Sequence, residues 1–122
     1  MILPSVIYID SYTFLDLTSP PLTPEYQIFT NDSIDDLERL LEGGTPDHPA
    51  LLALFTDVPG NPELRTADLP RLRALADAYH FPIIIDETVG HHLNVQVLPF
   101  ADIVVSSLTK VFSGLANVLG GA

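Results

Sequence analysis

The chain alternates short, continuous runs of apolar residues with segments that are rich in polar and turn-forming residues. Each apolar run is too short to be an independent helix, and the turn residues beside it favour a strand. We therefore predict strands at residues 5–9, 51–55, 83–85 and 101–105. The last of these strands is expected to be buried on both faces of its sheet.

Two further segments carry apolar residues at the spacing of one helix face. In the first, residues 33–42, Ser33 and Asp36 resemble a capping box, and Gly43 begins a stop signal. The second begins near Asp68. The predicted apolar stripes are Ile34, Leu37, Leu40 and Leu41 in the first helix, and Leu69, Leu72, Leu75, Ala76 and Tyr79 in the second.

Strands that alternate with helices indicate a parallel sheet covered by helices, because a parallel connection needs a crossover. The predicted fold class is therefore α/β, a three-layer sandwich around a parallel sheet. Ligands of open parallel sheets bind beyond the carboxyl ends of the strands. Polar residues follow the last three predicted strands at that edge: Asn61, then Asp86, then Ser107, Thr109 and Lys110.

Composition and charge narrow the classes of partner. The 122 residues include five Lys+Arg against 16 Asp+Glu, a formal net charge of −11. Nucleic acids and anionic membranes bind basic surfaces, so we expect neither as a partner. The chain has no cysteine, which excludes disulfides and thiolate chemistry. It has no signal-peptide pattern and no stretch near the ~20 apolar residues of a membrane helix, so we predict a soluble cytoplasmic protein.

Lys110 is the only lysine in the chain. A single lysine after a strand is most often a solvated loop charge, so its position alone assigns no role. Pyridoxal phosphate, however, needs an amine to hold it, a carboxylate that keeps its ring nitrogen protonated, and donors for its ring oxygen and phosphate. Lys110 and Asp86 supply the first two groups, and Asn61, Ser107 and Thr109 can supply the donors. We expect Lys110 in a partly dry pocket, where an amine loses its proton more easily.

Two other kinds of site have weaker support. Residues 83–87, an apolar run that ends in Asp86 and Glu87, are also typical of the metal-binding strand of nucleotide hydrolases. The chain lacks the Gly-x-x-x-x-Gly-Lys-Ser/Thr loop that this interpretation requires. His91 and His92 are adjacent, but neighbouring loop side chains are expected to point apart, and no third ligand is suitably spaced. We predict surface histidines and no metal site.

Three segments carry the candidate residues: Pro59-Gly60-Asn61-Pro62, Ile85-Asp86-Glu87-Thr88, and Ser106-Ser107-Leu108-Thr109-Lys110 followed by Phe112-Ser113-Gly114. They resemble motifs of the Cys/Met-metabolism pyridoxal-phosphate enzymes, the trans-sulfuration group of the aspartate-aminotransferase-like fold (fold type I). The resemblance is strong over residues 51–122, and the 24 positions from Asp86 to Lys110 match the family's spacing. Residues 94–102 and 111–114 are most similar to the fungal cystathionine γ-synthase-like branch.

This resemblance implies a transferase or lyase of sulfur amino-acid metabolism that uses pyridoxal 5'-phosphate, acts on an amino-acid substrate and is a homo-oligomer in its full-length members. It implies that Lys110 holds the cofactor as a Schiff base and then removes the substrate α-proton, and that Asp86 contacts the ring nitrogen. It also implies two phosphate ligands and a ring-oxygen contact, which are Ser107, Thr109 and Asn61.

The chain also departs from the family pattern. Leu115-Ala116 stand where polar residues usually follow the lysine motif. The family's glycine-rich phosphate loop, its ring-stacking aromatic residue and its C-terminal domain with the substrate-carboxylate arginine have no counterpart in the sequence. We therefore expect residues 1–122 to form part of the cofactor-binding large domain, with no second domain. Such a chain is either a piece of a trans-sulfuration enzyme or an inactive remnant that serves as an interaction or accessory module.

Overall fold

A computed structural model describes residues 5–9, 26–29, 34–43 and 51–122. The described strands are β1 (Ser5–Ile9), β2 (Tyr26–Phe29), β3 (Leu51–Asp57), β4 (Ile83–Asp86) and β5 (Ile103–Val105), and the α-helices are α1 (Ile34–Glu42) and α2 (Leu69–Tyr79). The predicted Ser33 cap of α1 lies outside the described residues. All four predicted strands and both predicted helices are present.

The five strands form one parallel sheet in the order β2-β1-β3-β4-β5. This arrangement confirms the predicted parallel α/β organisation. The apolar pattern does not predict β2, because its four residues include Gln27 and form no continuous apolar run. Pairing with β1, from Val6 opposite Tyr26 to Ile9 opposite Phe29, places this segment in the sheet.

One hydrophobic core joins the middle of the sheet to both helices. Ile83 and Ile85 of β4 are fully buried, as are Leu37 of α1 and Leu72 of α2. The strand period of two explains β4, in which buried and half-buried residues alternate. Most of the predicted stripe of α2 is buried, whereas Tyr79 at its last position is exposed.

The N-terminus of α2 is fixed by the residue that the sequence predicts. The Asp68 side chain accepts a hydrogen bond from the Arg71 backbone N–H at 3.1 Å, as an N-cap does. Farther along, the Arg71 side chain reaches α1 and pairs with Asp35 at 2.6 Å and Glu38 at 2.8 Å. The two helices are therefore linked by charge as well as by packing.

Strand β5 is less buried than its apolar sequence predicts. Ile103 is 50% exposed, and Val104 and Val105 are only half-buried. The expectation that this strand is buried on both faces is thus wrong for the described part of the chain. The physical reason is that β5 pairs with β4 on one side and is the edge of the described sheet on the other.

Asp102, which directly precedes β5, connects this strand to α2 and β4 through side-chain hydrogen bonds. Its Oδ2 accepts hydrogen bonds from Arg73 Nη1 of α2 and from the backbone N–H of Ile83, both at 2.8 Å. The Ile83 bond, and after it the Arg73 pair, hold the pKa of Asp102 below its ordinary value. Ionised Asp102 therefore stabilises the fold above the unfolded pKa of ~4, and this contribution is lost as the pH falls through the lower folded pKa.

We expect D102N to lower the free energy of unfolding at pH 7 by about 1 kcal/mol or less, because the side chain is 46% exposed and solvent screens the pair. The difference in the free energy of unfolding between D102N and the unaltered chain should become smaller as the pH is lowered below about 4. Urea unfolding at pH 7 and at lower pH measures both values. D77N, which removes another Arg73 partner but no backbone bond, should have the smaller effect. A gap that is equal at all pH values would contradict this role of Asp102.

Candidate functional site

A cavity of about 390 Å³ opens at the carboxyl ends of β3, β4 and β5. Its volume is within the range of small-molecule sites, roughly 300–1,000 Å³. Parallel pairing creates this position, because the last residues of the three strands lie side by side: Asp57 opposite Asp86, and Asp86 opposite Val105. The lining residues are Asp57, Pro59, Asn61, Asp86, Thr88, Val89, Ser107, Lys110 and Val111.

Four of the five candidate residues therefore line one cavity: Asn61, Asp86, Ser107 and Lys110. Thr109 is not among the lining residues. The backbone carbonyl of Thr109 accepts a hydrogen bond from the Ser113 hydroxyl at 2.9 Å. The arrangement thus brings an amide, a carboxylate, a hydroxyl and an amine to one place, while Thr109 stays beside it.

Asp86 ends β4 with one carboxylate oxygen bonded and the other available. Its Oδ1 accepts a hydrogen bond from the Thr88 backbone N–H at 2.8 Å. Its Oδ2 accepts no hydrogen bond from any residue in the described ranges. A half-buried carboxylate with one oxygen fixed and one open to a cavity can accept a hydrogen bond from a bound molecule.

Lys110 lies in a short π-helical turn, Leu108–Phe112, which we call the lysine turn. Its backbone, with φ −86° and ψ −111°, leaves helical geometry at this residue. The ammonium group pairs with no carboxylate in the described part of the chain. Lys110 is exposed, so the expected partly dry pocket is wrong for the described residues. Nearby apolar side chains of this turn, Val111 and Phe112, are exposed as well.

The cavity lining includes two polar residues, Asp57 and Thr88, that are not among the residues predicted from the sequence. Asp57 is missed because strand β3 was predicted to stop at residue 55, whereas it continues through the fully buried Thr56 to Asp57. Thr88 is missed because its role depends on a contact between two strand ends. The signal that could have found Asp57 is the register, since the last residues of neighbouring parallel strands share an edge.

The neighbouring histidine pair differs from expectation. The rings of His91 and His92 lie 3.9 Å apart between centroids, so the prediction that they point apart is wrong. His92 Nδ1 is 3.8 Å from Oε1 of Glu87, which is a buried carboxylate. Within the described ranges, no group of three or more His, Cys, Asp or Glu residues could hold a metal ion.

Gly90 is packed where no larger residue fits. A Cβ atom at this position would lie 2.6 Å from Val95 Cγ2 and 2.8 Å from the backbone oxygen of Val58. The latter residue directly precedes Pro59 in the cavity wall. Because a branched side chain and a backbone atom are the obstacles, the surrounding segment must move to accommodate a methyl group.

We expect G90A to lower the free energy of unfolding by about 1–3 kcal/mol through overpacking. G120A is the matched control, because a Cβ at Gly120 would meet only the Leu108 side chain, at ordinary contact distances of 3.8 and 4.0 Å. Thermal or urea unfolding of both variants checks the difference. If G90A unfolds like G120A, the packing of this loop against Val58 is not as described.

Comparison with known proteins gives a family match over the whole sequence. A family model described as Cys/Met metabolism PLP-dependent enzyme matches residues 1–122. The chain is 56% identical over 92 residues to a cystathionine gamma-synthase-like enzyme of Amanita muscaria. It is 49% identical over 114 residues to the cystathionine gamma-synthase of Neurospora crassa. These alignments cover 73% and 93% of this chain but only 15% and 18% of the two curated relatives.

Solved structures share the fold. A Campylobacter jejuni protein described as an O-acetylhomoserine (thiol)-lyase, whose structure contains N'-pyridoxyl-lysine-5'-monophosphate, gives a TM-score of 0.81 at 25% identity. That match covers 97% of this chain and 29% of the other chain. Cystathionine gamma-lyase of Lactobacillus plantarum, complexed with L-serine, gives 0.76 at 21% identity and covers 99% of this chain and 32% of the other. The predicted fold type I organisation is confirmed.

Proposed function

The chain belongs to the family of Cys/Met-metabolism PLP-dependent enzymes, and on that premise we propose that it acts in trans-sulfuration of the cystathionine γ-synthase type. The substrate would be an amino acid, and the setting cytoplasmic sulfur amino-acid metabolism. Residues 1–122 would contribute the described strand ends to a cofactor-binding domain of a homo-oligomer. None of the described helices has the length and apolar character of a membrane span.

The observation that carries this proposal is the shared cavity of Asn61, Asp86, Ser107 and Lys110. Its donor set fits pyridoxal phosphate, since it offers one amine, one carboxylate oxygen without a described partner, and uncharged polar groups. When bound, the cofactor supplies an electron-poor ring that stabilises negative charge on the substrate α-carbon. The fit gives each of the four side chains a separate task.

Each task follows from the chemistry of the side chain. The Lys110 amine would bind the cofactor and, once free, accept the α-proton of the amino-acid substrate at Nζ. The open oxygen of Asp86 would keep the ring nitrogen protonated. The Asn61 amide would donate to the ring oxygen, and the Ser107 hydroxyl to the phosphate. Thr109 stays a predicted second phosphate ligand.

A second candidate function is an accessory module without activity. It is favoured by the exposed apolar side chains that follow the lysine turn, which include Leu115 and Leu119, the latter 98% exposed. Apolar groups exposed together are typical of surfaces that another chain or segment covers. This candidate keeps the fold but requires no chemistry at Lys110.

Product formation distinguishes the two functions. The chain is incubated with pyridoxal phosphate, L-cysteine and an O-acylated homoserine, and cystathionine is measured by mass spectrometry. The proposed function predicts cystathionine that depends on the cofactor and is absent with K110R. A folded chain that neither binds pyridoxal phosphate at Lys110 nor forms cystathionine would favour the accessory module.

A further inference from the structure

We propose that Thr88 is a positioning residue that holds the lysine turn in register with Asp86. This inference rests on the proposed function only in naming the ligand. Thr88 lines the same cavity as Asp86, Ser107 and Lys110. Its backbone forms a hydrogen bond with Asp86, and its side chain forms one with Ser107.

Thr88 makes one hydrogen bond to the end of β4 and another to the segment that follows β5. Its backbone N–H donates to Asp86 Oδ1 at 2.8 Å, which orients the carboxylate at the end of β4. Its Oγ1 accepts from the Ser107 backbone N–H at 2.8 Å, 19 positions away in the sequence. Thr88 thus connects the carboxylate to the segment that leads into the lysine turn.

Little else joins these two segments beyond the ends of the strands. The ladder of β4 and β5 ends at Asp86 opposite Val105, followed by one bond from the Glu87 N–H to the Val105 carbonyl at 3.0 Å. From Ser107 onward, the bond to Thr88 is the one hydrogen bond to the β4 end that the described residues show. Losing its acceptor would free the Ser107 end of the turn from that strand.

The side-chain chemistry makes this link specific to a hydroxyl. Valine has the shape of threonine but no acceptor, so T88V removes the bond to Ser107 while it keeps the volume and the β-branch. T88S keeps the acceptor and loses only a methyl group. Thr66, which is exposed and outside the cavity, provides a matched control as T66V.

Two measurements on the 122-residue chain test the link. The first is the hydrogen-exchange rate of the Ser107 amide without any ligand. We expect exchange about 10-fold faster in T88V, because the amide loses its acceptor, and rates near the unaltered chain in T88S and T66V. The second is the dissociation constant of pyridoxal phosphate from an absorbance titration. We expect it to rise about 10-fold in T88V and less than about 2-fold in T88S and T66V.

Rescue by serine separates positioning from general packing. If T88S behaves like T88V, the methyl group and not the hydroxyl matters, and the proposal is overturned. Unchanged exchange at Ser107 in T88V would also overturn it. If the unaltered chain binds no pyridoxal phosphate, the proposed function fails, but the exchange measurement still decides the link between Thr88 and Ser107.

Discussion

A K110R variant should form no borohydride-stable bond with pyridoxal phosphate at position 110, whereas the unaltered chain should become labelled there. Arginine keeps the positive charge, but its guanidinium is not deprotonated in proteins and cannot replace the amine. This is the largest effect that we expect, a complete loss of covalent labelling at this position. Lys110 is the only lysine, so the N-terminal amine is the one other primary amine in the chain.

Trypsin reports the labelled position directly. The last arginine before Lys110 is Arg73, so the unlabelled chain yields peptides 74–110 and 111–122. A reduced adduct on Lys110 blocks cleavage there, and a single peptide of residues 74–122 with added cofactor mass should appear. K110R restores cleavage and should show no added mass in this region. Equal labelling of K110R and the unaltered chain would contradict the role of Lys110.

The second large effect is expected from D86N. The asparagine keeps an oxygen for the Thr88 N–H but removes the charge that would pair with the protonated ring nitrogen. Truncating one partner of a bonded charge pair costs about 2–5 kcal/mol, so pyridoxal phosphate should bind about 30-fold or more weakly. An absorbance titration measures the dissociation constant in both chains.

D57N is the informative control for D86N. Asp57 lines the same cavity and lies opposite Asp86 in the sheet register, so its replacement changes the cavity charge by the same amount. We expect the larger loss of affinity in D86N. Equal losses would mean that the total charge of the cavity matters and not the position of one carboxylate. Binding by D86N as tight as by the unaltered chain would remove Asp86 from the site.

The sequence predicts those parts of the fold that depend on local pattern. Continuous apolar runs predict β1, β3, β4 and β5, and helical spacing that begins near Asp68 predicts α2. Strand β2 is not predicted from the sequence, because its residues gain their strand character from pairing with β1. The exposure of Ile103 is not predicted either. The number of strands that pair with β5 is a property of the whole sheet and not of the β5 sequence.

The candidate site likewise contains some residues that local sequence pattern predicts and others that it does not. Asn61, Asp86, Ser107 and Lys110 are predictable because polar residues after apolar strands meet at one edge of a parallel sheet. The contribution of Thr88 depends on a 2.8 Å contact with a residue 19 positions away, which no local pattern contains. The exposure of Lys110 is likewise a property of how far the described residues enclose the cavity.

The most direct test of the shared site is a crystal structure of the chain with pyridoxal phosphate bound. We predict one cofactor molecule in the cavity, covalently held by Lys110 Nζ, with an Asp86 oxygen within about 3 Å of its ring nitrogen. A cofactor molecule bound away from this cavity, or one held by Lys110 with its ring nitrogen out of reach of Asp86, would contradict the account.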